Sequence, residues 1–323
     1  MNGEAKAKIA IVGAGYMGGG IAQVFALAGH EVSIFDLDAE TTKLAYDRLI
    51  SESQTFEELG LFAPGSAKII ECNLSTGETV EETVAKADYI AEVVPEVIEI
   101  KEEVFARICT TAKPNAIIAS NTSAIPISKL SAFVSNPGRF LGVHWVNPAP
   151  FIPGVEIIPT VETTEEVLQY VEALIGSLGK VTSRVSDVSG FIINRLQFAL
   201  YKEAVTMFEE GVGTPQEIDA IVSNTFGFRL ALFGPFAIAD MAGLDVFVGA
   251  YKSLAEAYGE RFAAPDSLVE KVKNGDFGLK TGGGFAGLDV SKKDEIVAYR
   301  NRAYAALTQL KKELGNPPGF PKS

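Results

Sequence analysis

The stretch KIAIVGAGYMGGGIAQVFALAGHEVSIFD, beginning at residue 8, allows few readings. Residues 8–12 are a short apolar run with the length of a strand. The turn GAGYMG follows, and GIAQVFALAGH then continues with helical spacing before a second apolar run, EVSIF, closes on Asp36. Strand, tight turn, helix and strand make a βαβ unit. Further apolar strands alternate with helical segments: DYIAEVV (88–94), NAIIAS (115–120), RFLGVHW (139–145) and GVEIIPT (154–160). That alternation predicts a mostly parallel, doubly wound sheet of the Rossmann type over residues 1–188. Past SRVSDVSG the pattern changes. Successive segments with apolar residues at three- and four-residue intervals, separated by Gly or Pro, predict an all-α second domain over 189–323, closed by a frayed tail, GNPPGFPKS.

Each glycine of the turn has its own task. Gly13 permits the tight turn, Gly15 lets a pyrophosphate approach the backbone, and Gly18 lets helix and strand pack closely. A chain with 31 glycines meets such a pattern by chance, so the flanking strand, the helix and Asp36 carry the assignment. Asp36 ends the second strand at about the 20-residue distance where a carboxylate binds ribose hydroxyls. The same carboxylate repels a 2′-phosphate. The turn, Tyr16 and Met17 included, therefore predicts a site for NAD rather than NADP.

Composition narrows the partners. Net charge is −13, so nucleic acid or an anionic membrane would be met by an unfavourable field. Hydrophobic residues make up 47% without an apolar run of the roughly 18 residues a span requires. The N-terminus lacks a signal-peptide pattern, and the two cysteines, Cys72 and Cys109, lie in unrelated segments. A cytoplasmic protein without disulfides or a metal centre is expected.

Only two histidines occur, His30 and His144. Oxidising a hydroxyl requires a group that takes its proton as hydride leaves carbon, and imidazole titrates in the useful range. His144 ends a predicted strand, where doubly wound folds bind ligands, and Glu156 lies on the next strand, suited to orient the ring. The alternative is a buried histidine satisfied by backbone. His30, in the turn AGHEV, reads as a helix-terminal or surface residue.

GAGYMGGGIAQVFALAGHEV, SNTSAI, GVHWVNP, Glu156 and SGFIINRL together resemble the 3-hydroxyacyl-CoA dehydrogenase family, in order and over nearly the whole chain. The resemblance implies a His144–Glu156 dyad, with Ser123 and Asn194 hydrogen-bonding the substrate oxygen and Asn147 shaping the site. It also implies that Glu96 and Lys101 lie around the cofactor, and that the helical domain forms a homodimer. Each residue has a plainer reading: Ser123 as a turn cap, Asn147 as part of the turn before Pro148, Glu96 and Lys101 as a solvated helix entrance, and Asn194 as an amide satisfied within the protein.

The resemblance divides over substrate. Acyl-CoA enzymes of the family carry a lysine where this chain has Pro153, and a lysine-rich hairpin where it has SESQTFEELGLFAPGSAK, with Glu52, Glu57 and Glu58 and no basic residue before Lys68. NPAPFIPGVEIIP, NTSAIPISKL and FGFRLALFGP are similar instead to a branch acting on small free hydroxy compounds. That branch includes L-gulonate 3-dehydrogenase with lambda-crystallin, L-carnitine dehydrogenase and a pyridine-carboxylate dehydrogenase of vitamin B6 breakdown. Arg229 is the candidate to pair with a substrate carboxylate, or else a helix-end arginine. Trp145 either narrows the pocket or belongs to the core, and Lys280 is scaffold, surface residue or remnant ligand. Three functions follow in order: dehydrogenase of a small free 3-hydroxy acid or related alcohol, 3-hydroxyacyl-CoA dehydrogenase, and NAD-binding structural protein of the lambda-crystallin kind.

Overall fold

The computed structural model describes residues 6–319. The first five residues and the last four, which end the predicted tail, lie outside it. Eight strands form one sheet: β1 (Lys8–Val12), β2 (Glu31–Phe35), β3 (Leu74–Thr76), β4 (Tyr89–Glu92), β5 (Ile117–Ser120), β6 (Phe140–Trp145), β7 (Gly154–Pro159) and β8 (Val181–Arg184). Their order is β3-β2-β1-β4-β5-β6-β7-β8. The chain thus starts mid-sheet and winds outward both ways, leaving a crevice between β1 and β4 where the winding reverses.

Helices cover both faces. On one side, α1 (Tyr16–Leu27), α2 (Ala39–Glu58), α3 (Ser66–Asn73) and a later helix, Glu165–Ser177, supply a core that includes Phe25, Leu49, Ile70 and Val171. On the other side lie α4 (Val80–Val84), α5 (Ile98–Thr111) and α6 (Ile127–Ser131), with Val84, Phe105 and Leu130 buried. The later helix is α7. Capping agrees with the sequence: Asp38, Thr79 and Thr164 each accept a first-turn N–H of the helix they precede.

One pairing departs from parallel. β6 and β7 run antiparallel, because residues 146–153 are too short a connection for a crossover. Two strands were invisible to the hydrophobic pattern. β3 has three residues, and β8 is an edge strand that is largely exposed, so neither shows an apolar run.

Contacts divide the chain into Met1–Ala199 and Leu200–Ser323. The division falls inside α8 (Ile193–Glu209), later than the change of pattern at 189. Beyond it the chain is helical: α9 (Pro215–Asn224), α10 (Phe226–Leu230), α11 (Pro235–Ala242), α12 (Leu244–Tyr258), α13 (Asp266–Lys273) and α14 (Lys293–Leu314). Among the described residues no helix is long and apolar enough to cross a membrane, and no cluster of His, Cys, Asp and Glu is arranged to hold a metal. Cys72 and Cys109 are both free.

Candidate active site

The glycine turn is built by missing side chains. Gly13 has φ +98°, and a Cβ there would lie 2.5 Å from the Val93 carbonyl oxygen. At Gly18 a Cβ would overlap the Gly13 carbonyl, whereas at Gly15 it would meet nothing within 4 Å. The open space is at the glycine where a pyrophosphate has to come close. Asp36 Oδ2 accepts the Ala14 N–H at 2.7 Å and Oδ1 accepts the Leu37 N–H at 2.8 Å, which fixes the carboxylate at the lip of the turn. A cleft of about 590 Å³ opens there, lined by Gly13, Gly15, Asp36, Val94, Ile100 and Arg107 among others. Tyr16 is exposed beneath the Arg48 guanidinium, 5.4 Å from its ring centre, while Met17 packs against the core. The open backbone at Gly15, the helix N-terminus and the ribose-side carboxylate fit NAD.

His144 and Glu156 are directly opposed in the antiparallel β6–β7 ladder. Directly opposed residues share a face at close range, and here Nδ1 of His144 lies 2.7 Å from Glu156 Oε2, both side chains being buried. The other carboxylate oxygen accepts the N–H groups of Ile192 and Ile193, at 2.9 and 3.0 Å, at the start of α8. Burial pushes the Glu156 carboxyl up, but the imidazole and these two N–H groups outweigh it and hold it below the usual range. An ionised Glu156 has no proton to offer, so the hydrogen between them belongs to Nδ1. The lone pair of the neutral ring is therefore on Nε2, and Nε2 lies 3.1 Å from Ser123 Oγ.

Ser123 belongs to a turn organised by Glu96. Glu96 Oε1 accepts the N–H groups of Ser123, Ala124 and Ile125 at 3.0, 2.9 and 3.3 Å, and the Thr122 hydroxyl. Burial raises the Glu96 carboxyl, yet Thr122, the turn amides and the Lys101 charge bring it below the ordinary value. Asn194 donates to the Ser123 carbonyl at 2.9 Å, so one of its N–H groups braces this turn. Lys101 is 1% exposed and its ammonium is turned inward to Glu92, away from solvent.

Other expectations change. Trp145 is adjacent to His144 in a strand, so the two point to opposite faces. It packs on Phe25 in the α1-side core and belongs to that core, not to a pocket wall shared with His144. His30 is neither exposed nor at the surface: it is 6% exposed, its Nδ1 accepts the Ala7 N–H at 3.1 Å, and desolvation lowers its pKa. Asn147 is exposed in the β6–β7 connection. In the acidic stretch, Glu57 folds back to accept the N–H groups of Gly65 and Ala67, and Glu52 pairs with Arg48. Phe151, from the β6–β7 connection, packs on Phe56 and Phe62 with ring centres 5.2 and 5.9 Å away. In the helical unit, Lys280 pairs with Asp245 at 2.7 Å. Arg229, at the end of α10, lines a recess of about 210 Å³ with Arg300, Asn301 and Tyr304.

Four residues near the site were not anticipated. Asn121 Oδ1 accepts the Trp145 N–H at 2.8 Å, tying the end of β5 to the end of β6. Lys180 donates to the carbonyls of Ala149 and Ile152 at 2.6 and 2.8 Å, pinning the connection that follows His144. Glu92 and Ser120 end β4 and β5 with both side chains fully buried. A polar residue closing an apolar strand was the available signal for these last two.

A Rossmann-type unit with this turn and an aspartate directly after β2 is that of an NAD-dependent dehydrogenase, here one acting on a hydroxyl group. The sequence profile of the 3-hydroxyacyl-CoA dehydrogenase NAD-binding domain matches residues 8–188, and that of the C-terminal domain of the same enzymes matches residues 190–287. The chain belongs to the 3-hydroxyacyl-CoA dehydrogenase family. It is 34% identical over 303 residues to 5-formyl-3-hydroxy-2-methylpyridine 4-carboxylate 5-dehydrogenase of Mesorhizobium japonicum, covering 94% of this chain and 97% of that protein. It is also 34% identical to a probable 3-hydroxybutyryl-CoA dehydrogenase of Bacillus subtilis, covering 86% and 96% respectively. Among solved structures, a 3-hydroxyacyl-CoA dehydrogenase from Archaeoglobus fulgidus superposes with a TM-score of 0.77 at 31% identity, over 96% of this chain and 99% of that one.

Proposed function

We propose that this protein transfers hydride between NAD and a small free 3-hydroxy acid or related hydroxyl compound, with His144 as acid and base. The observation that carries the reading is the line Glu156–His144–Ser123, with contacts of 2.7 and 3.1 Å at the carboxyl end of β6. Bound NAD supplies the hydride acceptor, and its reduced form the donor. In oxidation His144 Nε2 takes the hydroxyl proton, and the Glu156 carboxylate stabilises the imidazolium that forms. In reduction Nε2 returns that proton to the carbonyl oxygen. Ser123 Oγ donates to the substrate oxygen and steadies it as charge develops, while Asn194 holds the Ser123 turn.

Three features favour a small acid over a CoA thioester. Pro153 replaces the lysine that the acyl-CoA resemblance calls for. Glu57 is committed to its own turn, and the Phe56–Phe62–Phe151 cluster makes the neighbouring surface apolar, poor company for a multiply anionic nucleotide tail. Arg229 and Arg300 share a recess whose lining carries no carboxylate among the described residues, which suits a carboxylate ligand. The similarity to a pyridine-carboxylate dehydrogenase points the same way. We further assign residues 1–188 to cofactor binding and 189–323 to substrate binding and homodimerisation, and the protein to the cytoplasm, where two separated free cysteines are at home.

The test is NADH consumption with a panel of free 3-oxo acids and with acetoacetyl-CoA, and NAD reduction with the matching hydroxy acids. Turnover of a free acid should fall 10²–10⁴-fold in His144→Ala, the usual contribution of general acid–base catalysis, and its KM should rise in Arg229→Ala. Efficient turnover of acetoacetyl-CoA would return the chain to the acyl-CoA branch, and turnover indifferent to His144→Ala would remove the dyad.

A further inference from the structure

Glu92 contacts none of the reacting positions, yet it is 0% exposed at the end of β4. Its Oε1 accepts from Lys101 Nζ at 2.7 Å and from the Val94 N–H at 2.9 Å, and its Oε2 accepts from Ser120 Oγ at 2.6 Å. Two of those partners, Lys101 and Ser120, lead towards the Ser123 turn. Lys101 Nζ is also 3.5 Å from Glu96 Oε2, and the opposite oxygen of Glu96 gathers the amides of residues 123–125. Ser120 Oγ, held by Glu92, accepts the Thr122 N–H at 3.3 Å. One buried carboxylate therefore reaches one turn by two routes, through Lys101 and Glu96 and through Ser120.

A buried ion pair adds little to stability, because apolar residues of similar volume hold a core as well or better. What the pair supplies here is a fixed position. The ammonium is anchored on its inner side by Glu92, so it meets Glu96 at Oε2 and leaves Oε1 to the turn. We propose that Glu92 is a positioning residue for the dehydrogenase reaction: it fixes Lys101 and Ser120 so that the 122–125 turn holds Ser123 Oγ against His144 Nε2. The inference rests on the reading of His144 and Ser123 given above.

Glu92→Gln keeps the size of the side chain and removes its charge. Lys101 is then drawn wholly to Glu96, which loosens its hold on the turn. Hydrogen exchange should quicken at the amides of residues 123–125 while those of the β4 and β5 strands stay protected. The kcat should fall roughly 10- to 100-fold, as small misplacements of reacting groups do, with little change in substrate KM. In a Ser123→Ala background the same substitution should cost less than about twofold, since residues acting as one unit are non-additive. Full kcat in Glu92→Gln, or a full additional loss in the Ser123→Ala background, overturns the proposal.

Should Glu92→Gln expose the strand amides as well, Glu92→Gln with Lys101→Met removes the stranded charge and decides the matter. Positioning predicts that kcat stays low in this folded double variant, whereas its recovery would mean that the single variant suffered only from a buried charge. The two readings fail separately. Turnover that survives His144→Ala sinks the proposed function, while turnover lost in His144→Ala but untouched in Glu92→Gln sinks this inference alone.

Discussion

Two short turns border the site, and they hold their shapes by opposite means. The 13–18 turn is made by what is absent: Gly13 and Gly18 bring backbone within reach of backbone where any Cβ would collide. The 121–125 turn contains no glycine. Its shape comes from Glu96, which lies 26 to 29 residues earlier, in the β4–α5 connection, and collects three amides and a hydroxyl. A turn built from small residues is encoded where it lies. A turn built around a distant carboxylate is encoded in two places, and can be loosened from either.

Substitutions break this contrast in graded fashion. Gly18→Ala should do most, since the new methyl overlaps a backbone carbonyl that has nowhere to go. We expect NAD affinity, followed by NADH fluorescence, to fall by more than about 100-fold, a loss on the scale of overpacking strain of a few kcal/mol. Near-normal binding would show the turn to be more pliant than the contrast requires.

Glu96→Gln comes next. An amide oxygen still accepts, but without the charge that makes such bonds about twice as strong, and kcat should drop roughly tenfold. The same variant carries a pH signature. The Glu96 carboxyl is held below its ordinary value in the folded chain, so the ionised form is favoured by folding. Its contribution is complete above the unfolded value near 4.3 and disappears as pH falls through the lower folded value. The Tm gap between wild type and Glu96→Gln should therefore be widest at neutral pH and shrink below about pH 4.3; a gap that widens with acid has the wrong sign. Thr122→Val is the mildest, removing one of the four donors for about 1 kcal/mol of stability, with kcat reduced no more than severalfold. A collapse as deep as that of Glu96→Gln would make Thr122, not the carboxylate, the organiser of the turn.

The same contrast explains what could be read from sequence. Gly13, Gly15, Gly18 and Asp36 announced a βαβ unit because each acts within its own segment. His144 and Glu156 were legible as a pair because they lie on two neighbouring strands, although only the antiparallel register reveals that they face each other. Trp145 was ambiguous until the pleat direction was known, and His30 looked like a surface residue because its partner, Ala7, lies on the preceding strand side. Glu92, Ser120 and Lys180 left almost no trace. Each acts on backbone or side chains that the chain brings near only after the sheet has formed, and β3 and β8 escaped because short or exposed strands need no apolar run.

The β6–β7 hairpin has a further consequence, in the order of folding. His144 and Glu156 are separated by 12 residues, Ser123 and His144 by 21, and Asn194 and Ser123 by 71. Closing a loop of about ten residues takes roughly 10–100 ns, and the entropic cost grows with each longer one. His144 and Glu156 can thus meet through a local event, before the segments that supply Ser123, Ile192 and Asn194 have docked. The buried pair begins as a hairpin, and the rest of the chain arrives to enclose it.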